Sequence, residues 1–449
     1  YHKGYEFARL AIQLAERYHD LGLKCRIVLI MVAFVNHWSR HVRESEQYED
    51  PGIQAGIEAG EFQFVSYLLM WGKVINRFFR GSNLQQQLAV ADESLLFTRK
   101  VKSHLTTDSI LGARAVISCL TGGTSGTASF DLPDLTEADY LAQCEHHNSR
   151  SSLAFYHTIK AQALYLHGHF VEARQSIEIA IELADYIKSY VTDADIRYLH
   201  SLILLALDAS MPRPMINEAV VRNQAMLKQW ARSGPENFWH KYDLVEAERA
   251  RVENRIGDAV LLYDKAILRA GAGDFIHDEA LANELACRFW LERGKTEFAA
   301  IYFRRAGQCY QVWGAKRKLD MLAEQLGPLL MVKHGSGAYT STVSTRMATE
   351  SSTRVAEDID VKAVIEATHV FTGEIQLPEL KRKMMRIAMA NAGADSGFLI
   401  LDEEGSLVVD DLKDCVRSGR RQQLRVRRRA GVCGRGVVAG GVSVIVYCV

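Results

Sequence analysis

The sequence predicts a mainly α-helical protein, built of stacked helical hairpins and followed by a small α/β domain. Three observations carry that prediction. Apolar residues recur at helical spacing through roughly the first 330 positions, with no alternating strand pattern competing. Three segments of this region repeat one another without gaps. Beyond about residue 335 the composition changes: ten of the nineteen residues in GSGAYTSTVSTRMATESST, positions 335–353, are Ser or Thr, too small and polar to pack a core and suited to a linker.

The repeating segments are AQALYLHGHFVEARQSIEIAIEL from Ala161, AERARVENRIGDAVLLYDKAILR from Ala247 and CRFWLERGKTEFAAIYFRRAGQC from Cys287. Each opens on a small residue (Ala161, Ala247, Cys287). Seven positions on comes Gly168, Asn254 or Gly294, each able to take the left-handed conformation that closes a helix. Two alanines spaced by seven follow: Ala173 and Ala180, Ala259 and Ala266, Ala299 and Ala306. Between them sits a large apolar residue: Ile177, Tyr263 or Phe303. Small residues there let two helices approach closely, and the large one fills the groove. The pattern resembles the tetratricopeptide repeat, a hairpin of about 34 residues, and implies a helical-hairpin solenoid. The same template placed on the first residues makes Gly4 a turn, with Ala8, Ile12 and Ala15 on the second helix of a hairpin whose first helix lies upstream. The chain starts with Tyr, shows no signal peptide, and is expected to be a fragment that begins in mid-repeat.

Gly294-Lys295-Thr296 has the ending of a phosphate-binding loop. That loop needs a glycine five residues earlier and a preceding strand; Phe289 stands there instead, on a helical stripe with Leu285 and Trp290. The expected role is the turn of a hairpin.

Helical patterning continues over Leu23–Val42, Phe62–Phe79, Leu84–His104 and Ser109–Leu120. The Gly/Ser/Thr-rich loop TGGTSGTASFDLPD interrupts it. A second break, at Pro212 and Pro214, separates Asp195–Asp208 from Met215–Trp230. After the linker, Leu377, Leu380, Met384, Ile387 and Ala388 make an apolar helical stripe. Phe398–Leu401 and Leu407–Val409, separated by a Glu-Gly turn, read as a strand hairpin.

Net charge is zero, but from Val416 onward there are eight arginines and no Lys, Asp or Glu, leaving residues 1–415 at −8. The body therefore offers no basic face to nucleic acid. The longest uncharged apolar run near the start, Ile27–Val35, is nine residues, too short for a membrane span. The eight cysteines contain no C-x-x-C pair, and the expectation is reduced, buried thiols in a cytoplasmic protein.

Several stretches together resemble one family: FVNHW (34–38), HKYDLVEAERARV (240–252), HDEALANELACRFWLERG (277–294), YQVWGAKRKL (310–319) and FTGEIQLPELKRKMMRIAMANAGADSGFLIL (371–401). They look like the middle of the large hybrid signalling proteins of cyanobacteria and fungi. In those, a Ser/Thr-kinase-like domain and an AAA-type ATPase precede a tetratricopeptide-like region, a GAF sensor domain and a histidine kinase. The resemblance implies a helical region over 1–332, a linker over 333–358 and the start of a truncated α/β GAF domain over 359–412. Residues 413–449 are expected to be a basic tail, disordered or translated out of frame; the competing reading is a genuine tail in which Gly436–Val449 adds a strand.

No kinase, phosphate-loop or phosphoacceptor signature is present. The expectation is a non-catalytic, interaction and regulatory segment of a signalling kinase. Its partners would be protein domains, with no cofactor, no metal, no nucleic acid and no membrane span. A stand-alone adaptor binding a peptide or protein, and a gene fragment without function, are the alternatives. Cys144-Glu145-His146-His147 reads as a helix end rather than a metal site, since adjacent helical histidines diverge by about 100°. Trp230, Trp239, Trp290 and Trp313 read as core before groove lining. His334 and His369 lack the flanks of a phosphoacceptor. Arg425 and Arg427–Arg429 lack the interleaved aromatics of a nucleic-acid site.

Overall fold

The computed structural model describes residues 1–207 and 213–331, together with the strands 397–403, 406–411, 436–439 and 442–448. The chain divides into two compact units between Tyr339 and Thr340, and the described part of the first is mainly helical.

In chain order the first unit contains α1 (His2–Arg17), α2 (Leu21–Ile30), α3 (Glu46–Glu58), α4 (Phe62–Leu68), α5 (Arg77–Arg80), α6 (Leu84–Lys100), α7 (His104–Thr121), α8 (Glu137–His146), α9 (Arg150–Leu166), α10 (Phe170–Glu182), α11 (Thr192–Ala206), α12 (Arg213–Ser233), α13 (Pro235–Val252), α14 (Ile256–Ala272), α15 (Ile276–Glu292), α16 (Thr296–Trp313) and α17 (Lys316–Met331). The pairs α9–α10, α13–α14 and α15–α16 are closely packed hairpins. Between their helices, Gly168, Asn254 and Gly294 stand at φ 84°, 58° and 69°. At the third turn the Gly294 N–H donates to the Leu291 carbonyl and the Lys295 N–H to the Trp290 carbonyl, both at 2.9 Å, which satisfies the last carbonyls of α15. Gly294-Lys295-Thr296 is therefore a helix–helix turn. Ala161, Ala173, Ala180, Ala247, Ala259, Ala266, Cys287, Ala299 and Ala306 are all buried. Of the intervening large residues, Ile177 and Tyr263 are buried and Phe303 is half-buried.

The helices of each hairpin differ in surroundings. α9 and α11 are buried along nearly their whole length, whereas α14 buries only Ala259, Tyr263, Ala266, Ile267 and Ala270. α9 is packed by α7 and α8 as well as by its own hairpin partner, whereas α13 and the ends of α11 and α15 are covered by the segments 37–43 and 71–81. Trp71 stacks on Tyr190 at 3.7 Å, Trp38 packs against Trp230 and Phe238, Phe79 against Phe238 and Phe275, and Phe78 against Trp313.

Some elements depart from the sequence reading. The helix expected over Leu23–Val42 passes into a π-helical turn at Met31–Val35 and a 3₁₀ turn at Asn36–Trp38, where the Asn36 side-chain amide donates to the His41 carbonyl at 2.9 Å. The rod expected over Phe62–Phe79 is π-helical at Leu69–Asn76, and Asn76 Nδ2 donates to the Val32 carbonyl at 3.0 Å across the two π segments. α3 is absent from the sequence reading because Pro51, Gly52 and Gly56 interrupt its pattern. The glycines are there for contact: a Cβ on Gly52 would lie 2.5 Å from Val28 Cγ1, and one on Gly56 2.5 Å from Val65 Cγ2. Gly4 lies inside the first turn of α1 rather than in a turn before it. Leu21–Trp38 is long and apolar enough to cross a membrane by length and composition, and half of it is buried within the helical unit. Cys25, Cys119, Cys144, Cys287 and Cys309 are buried and unpaired.

In the second unit the described residues form an antiparallel sheet of order β2-β1-β4-β3, with β1 (Gly397–Glu403), β2 (Ser406–Asp411), β3 (Gly436–Ala439) and β4 (Val442–Cys448). β1 and β2 are the hairpin expected from the sequence. β4 pairs with the other edge of β1, from Gly397↔Cys448 to Leu401↔Val444. The strand beside β1 thus comes from the segment 413–449. Its arginine- and glycine-rich stretch had argued for a tail outside the domain, while VSVIVYC has the β-branched and aromatic content of a strand. The expected 377–388 helix, the linker, His334, His369, Arg425 and Arg427–Arg429 lie outside the described residues.

Candidate functional site

The stretches HKYD (240–243) and HDEA (277–280) bring one buried group of charges together. α13 carries His240 and Lys241, α15 carries His277 and Asp278, and α11 supplies Asp195 and Tyr198. Lys241 Nζ donates to Asp278 Oδ2 at 2.7 Å and lies 3.0 Å from Asp195 Oδ1; its ammonium sits over the rings of Phe79 and Tyr198 at 4.8 and 4.7 Å. His240 Nε2 donates to Asp278 Oδ2 at 2.9 Å, and its ring stacks on Phe275.

Burial opposes the Lys241 charge, but Asp195 and Asp278 outweigh it and hold the lysine above its ordinary pKa. Burial likewise opposes ionisation of Asp278, and His277, Lys241 and His240 reverse that, keeping it well below the usual carboxylate range. Asp195, buried with only Lys241 to help it, is pushed up to about 6. Burial lowers both imidazoles, His277 to about 4. All these groups are closed off from solvent, so the arrangement fixes helices rather than meeting a substrate. Removing one partner of such a group leaves a buried charge unmatched.

A second group lies along the same helices. Glu284 accepts from Lys318 at 2.8 Å, from Arg288 at 2.8 Å and from the Tyr310 hydroxyl at 2.7 Å, and Lys318 also donates to the Leu166 carbonyl. Glu248 accepts from Arg251 and from the Tyr263 hydroxyl. Between the two carboxylates opens a notch of about 290 Å³, bordered by Tyr165, Arg251, Arg288 and Lys318. Its cations are all paired.

The third feature is a clamp on the chain's own backbone. Asn237 Nδ2 donates to the carbonyls of His37 and Arg40, each at 2.7 Å, and its Oδ1 accepts from the Val42 N–H at 3.0 Å. His37 Nε2 and Trp38 Nε1 meet the Ser189 carbonyl at 3.3 and 3.1 Å, His41 Nε2 meets the Gly273 carbonyl at 2.8 Å, and Arg43 pairs with Asp274 at 2.6 Å. Next to this clamp a cleft of about 540 Å³ opens between Pro235–Trp239 and Arg269–Asp274.

Among the residues singled out from sequence, Trp230 and Trp313 are buried, while Trp239 and Trp290 are half-buried core. Trp239 alone of the four borders the cleft. His146 is exposed, but His147 Nδ1 is 2.9 Å from the buried Asp108 Oδ2, which also accepts from Ser149 at 2.6 Å. Among the described residues no group of three or more His, Cys, Asp or Glu is placed to hold a metal ion. The buried lysine group escaped sequence reasoning because its members come from three helices. The only signal was charged residues, Lys241 and Asp278, at buried helical positions.

No family model matches the chain, and no curated protein matches it.

Proposed function

We propose that this chain is a non-catalytic interaction and regulatory segment of a multidomain signalling kinase. In this reading a tetratricopeptide-like hairpin array is joined to a GAF-type α/β domain and couples ATPase and kinase modules to a sensor. The observation that supports it is the closed seat. The faces of α11, α13 and α15, where a peptide-binding array would be open, are met by the segments 37–43 and 71–81 and fixed by the Asn237 clamp and the Lys241 group. A helical body joined in this way passes a displacement from one side to another instead of absorbing it, because packed cores resist continuous deformation. The family resemblance of the same stretches, HKYD and HDEA, supports the signalling context.

Sequencing the transcript on both sides tests the reading. An open frame continuous with Tyr1 and encoding an ATPase or kinase-like domain is expected; stop codons immediately on both sides would sink it. The purified chain is further expected neither to hydrolyse labelled ATP nor to phosphorylate itself. ATP turnover lost on Lys295→Ala would assign a nucleotide site to the Gly294 turn and overturn the non-catalytic reading. The adaptor reading is favoured by the open cleft beside Trp239, which has room for a peptide side chain.

A further inference from the structure

We propose that the seat of the segments 37–43 and 71–81 on the hairpin helices is a histidine-gated joint, which opens on mild acidification and uncovers the inner faces of α11, α13 and α15. Imidazoles make the crossing at three places. His37 Nε2 meets the Ser189 carbonyl and His41 Nε2 the Gly273 carbonyl. The third, His277, is pressed against the end of α5: a Cβ on Gly81 would lie 2.2 Å from His277 Nδ1.

The closed joint has no place for a second proton on two of these rings. A carbonyl acceptor fixes the His37 proton on Nε2, so Nδ1 is the bare nitrogen. His37 Nδ1 and His277 Nδ1 are both buried without a hydrogen-bond partner, and an N–H formed there would be a buried donor with no acceptor, part of a buried cation. The neighbours do not relieve this. Around His37 are the Trp38 ring and the Ser189 carbonyl. Around His277 are Trp313 on α16, Phe275 at the start of α15, His240 and Lys241 on α13, and Asp278 beside it. Asp278 is the one group that favours an imidazolium, and Lys241 and His240 already engage it.

Burial accordingly holds His37 at about 3 and His277 at about 4. Once the joint opens and the rings are hydrated, both return to the ordinary value of about 6.5. The closed form is then fully favoured above pH ~6.5 and loses ground as pH falls toward the two depressed values. Between pH 7.5 and 5.5 each ring raises the opening constant about tenfold, and the pair about a hundredfold. Asp195, whose raised pKa of about 6 has the opposite sign, stays with Lys241 between α11 and α13 on either side of the transition.

Hydrogen exchange of the full chain, corrected for intrinsic rates, tests the joint. From pH 7.5 to 5.5, residues 31–38, 69–80 and 235–242 are expected to lose protection together, about a hundredfold, while Thr296–Trp313 keeps its own. The double variant His37→Gln, His277→Gln lacks both crossing rings with a buried, unpartnered Nδ1, while His240 keeps its bond to Asp278 between α13 and α15; it is expected to reduce that pH factor to about one, whatever its stability at pH 7.5. Each single variant is expected to remove about tenfold, and the singles decide the matter if the double variant does not fold. Protection unchanged with pH, equal loss in Thr296–Trp313, or variants that keep the parent's pH factor would each overturn the proposal.

Discussion

Ala266 on α14 and Ala306 on α16 are both fully buried. A glutamate at either place puts a carboxylate into apolar packing without a partner and a long side chain where a methyl group fits. Ala266→Glu and Ala306→Glu are each expected to cost about 3–5 kcal/mol, read as a lower midpoint in thermal or urea melts. The Lys241 group shows the converse: its charges are tolerated because each has a counterpart within 3.0 Å. At this scale identity alone says little. Lysine is ordinarily solvated, and only the carboxylates arriving from α11 and α15 make Lys241 a core residue.

The hairpin turn is the element where sequence spoke most directly. Gly168, Asn254 and Gly294 stand at equivalent template positions and take the same left-handed conformation. Nothing lies within 4 Å of a Cβ built on Gly294, so Gly294→Ala meets no clash and pays only backbone strain. A loss of about 1–2 kcal/mol is expected, against no loss for Asn254→Gly, since glycine takes that conformation freely. Melts of the two variants side by side check this; equal losses would mean that side-chain packing, not φ, sets the turn. α3 and the two π-helical turns are the elements that sequence hid. Pro51, Gly52 and Gly56 read as helix breakers. The glycines are retained because Val28 and Val65 approach too closely for any side chain.

For the whole helical unit, the distribution of histidine has a measurable consequence. Burial lowers His157, His167 and His200, each to about 4, in addition to His37, His240 and His277. A histidine held below its unfolded value contributes stability above pH ~6.5 that is lost as pH falls toward its folded value. Asp193, Asp195, Asp243 and Glu279, raised by burial, have the opposite sign but are fewer. The melting temperature is expected to be lower at pH 5 than at pH 7, by roughly 10 °C. A flat or rising midpoint over that interval would mean that the aspartates dominate.

The sequence by itself determined the helical class, the left-handed turns at Gly168, Asn254 and Gly294 and the strand hairpin at 397–411. Each of these depends on local periodicity and on residues with restricted backbone conformations, which are properties of neighbours along the chain. Tertiary structure alone decided that the segments 37–43 and 71–81 seat on the hairpin helices, that Asn237 holds the backbone of His37–Val42, and that Lys241, Asp195 and Asp278 share one buried site. Those partners stand from 37 to 200 residues apart in sequence. No periodicity connects such positions: burial converts solvated charges and imidazoles into structural contacts only after the chain has brought them together.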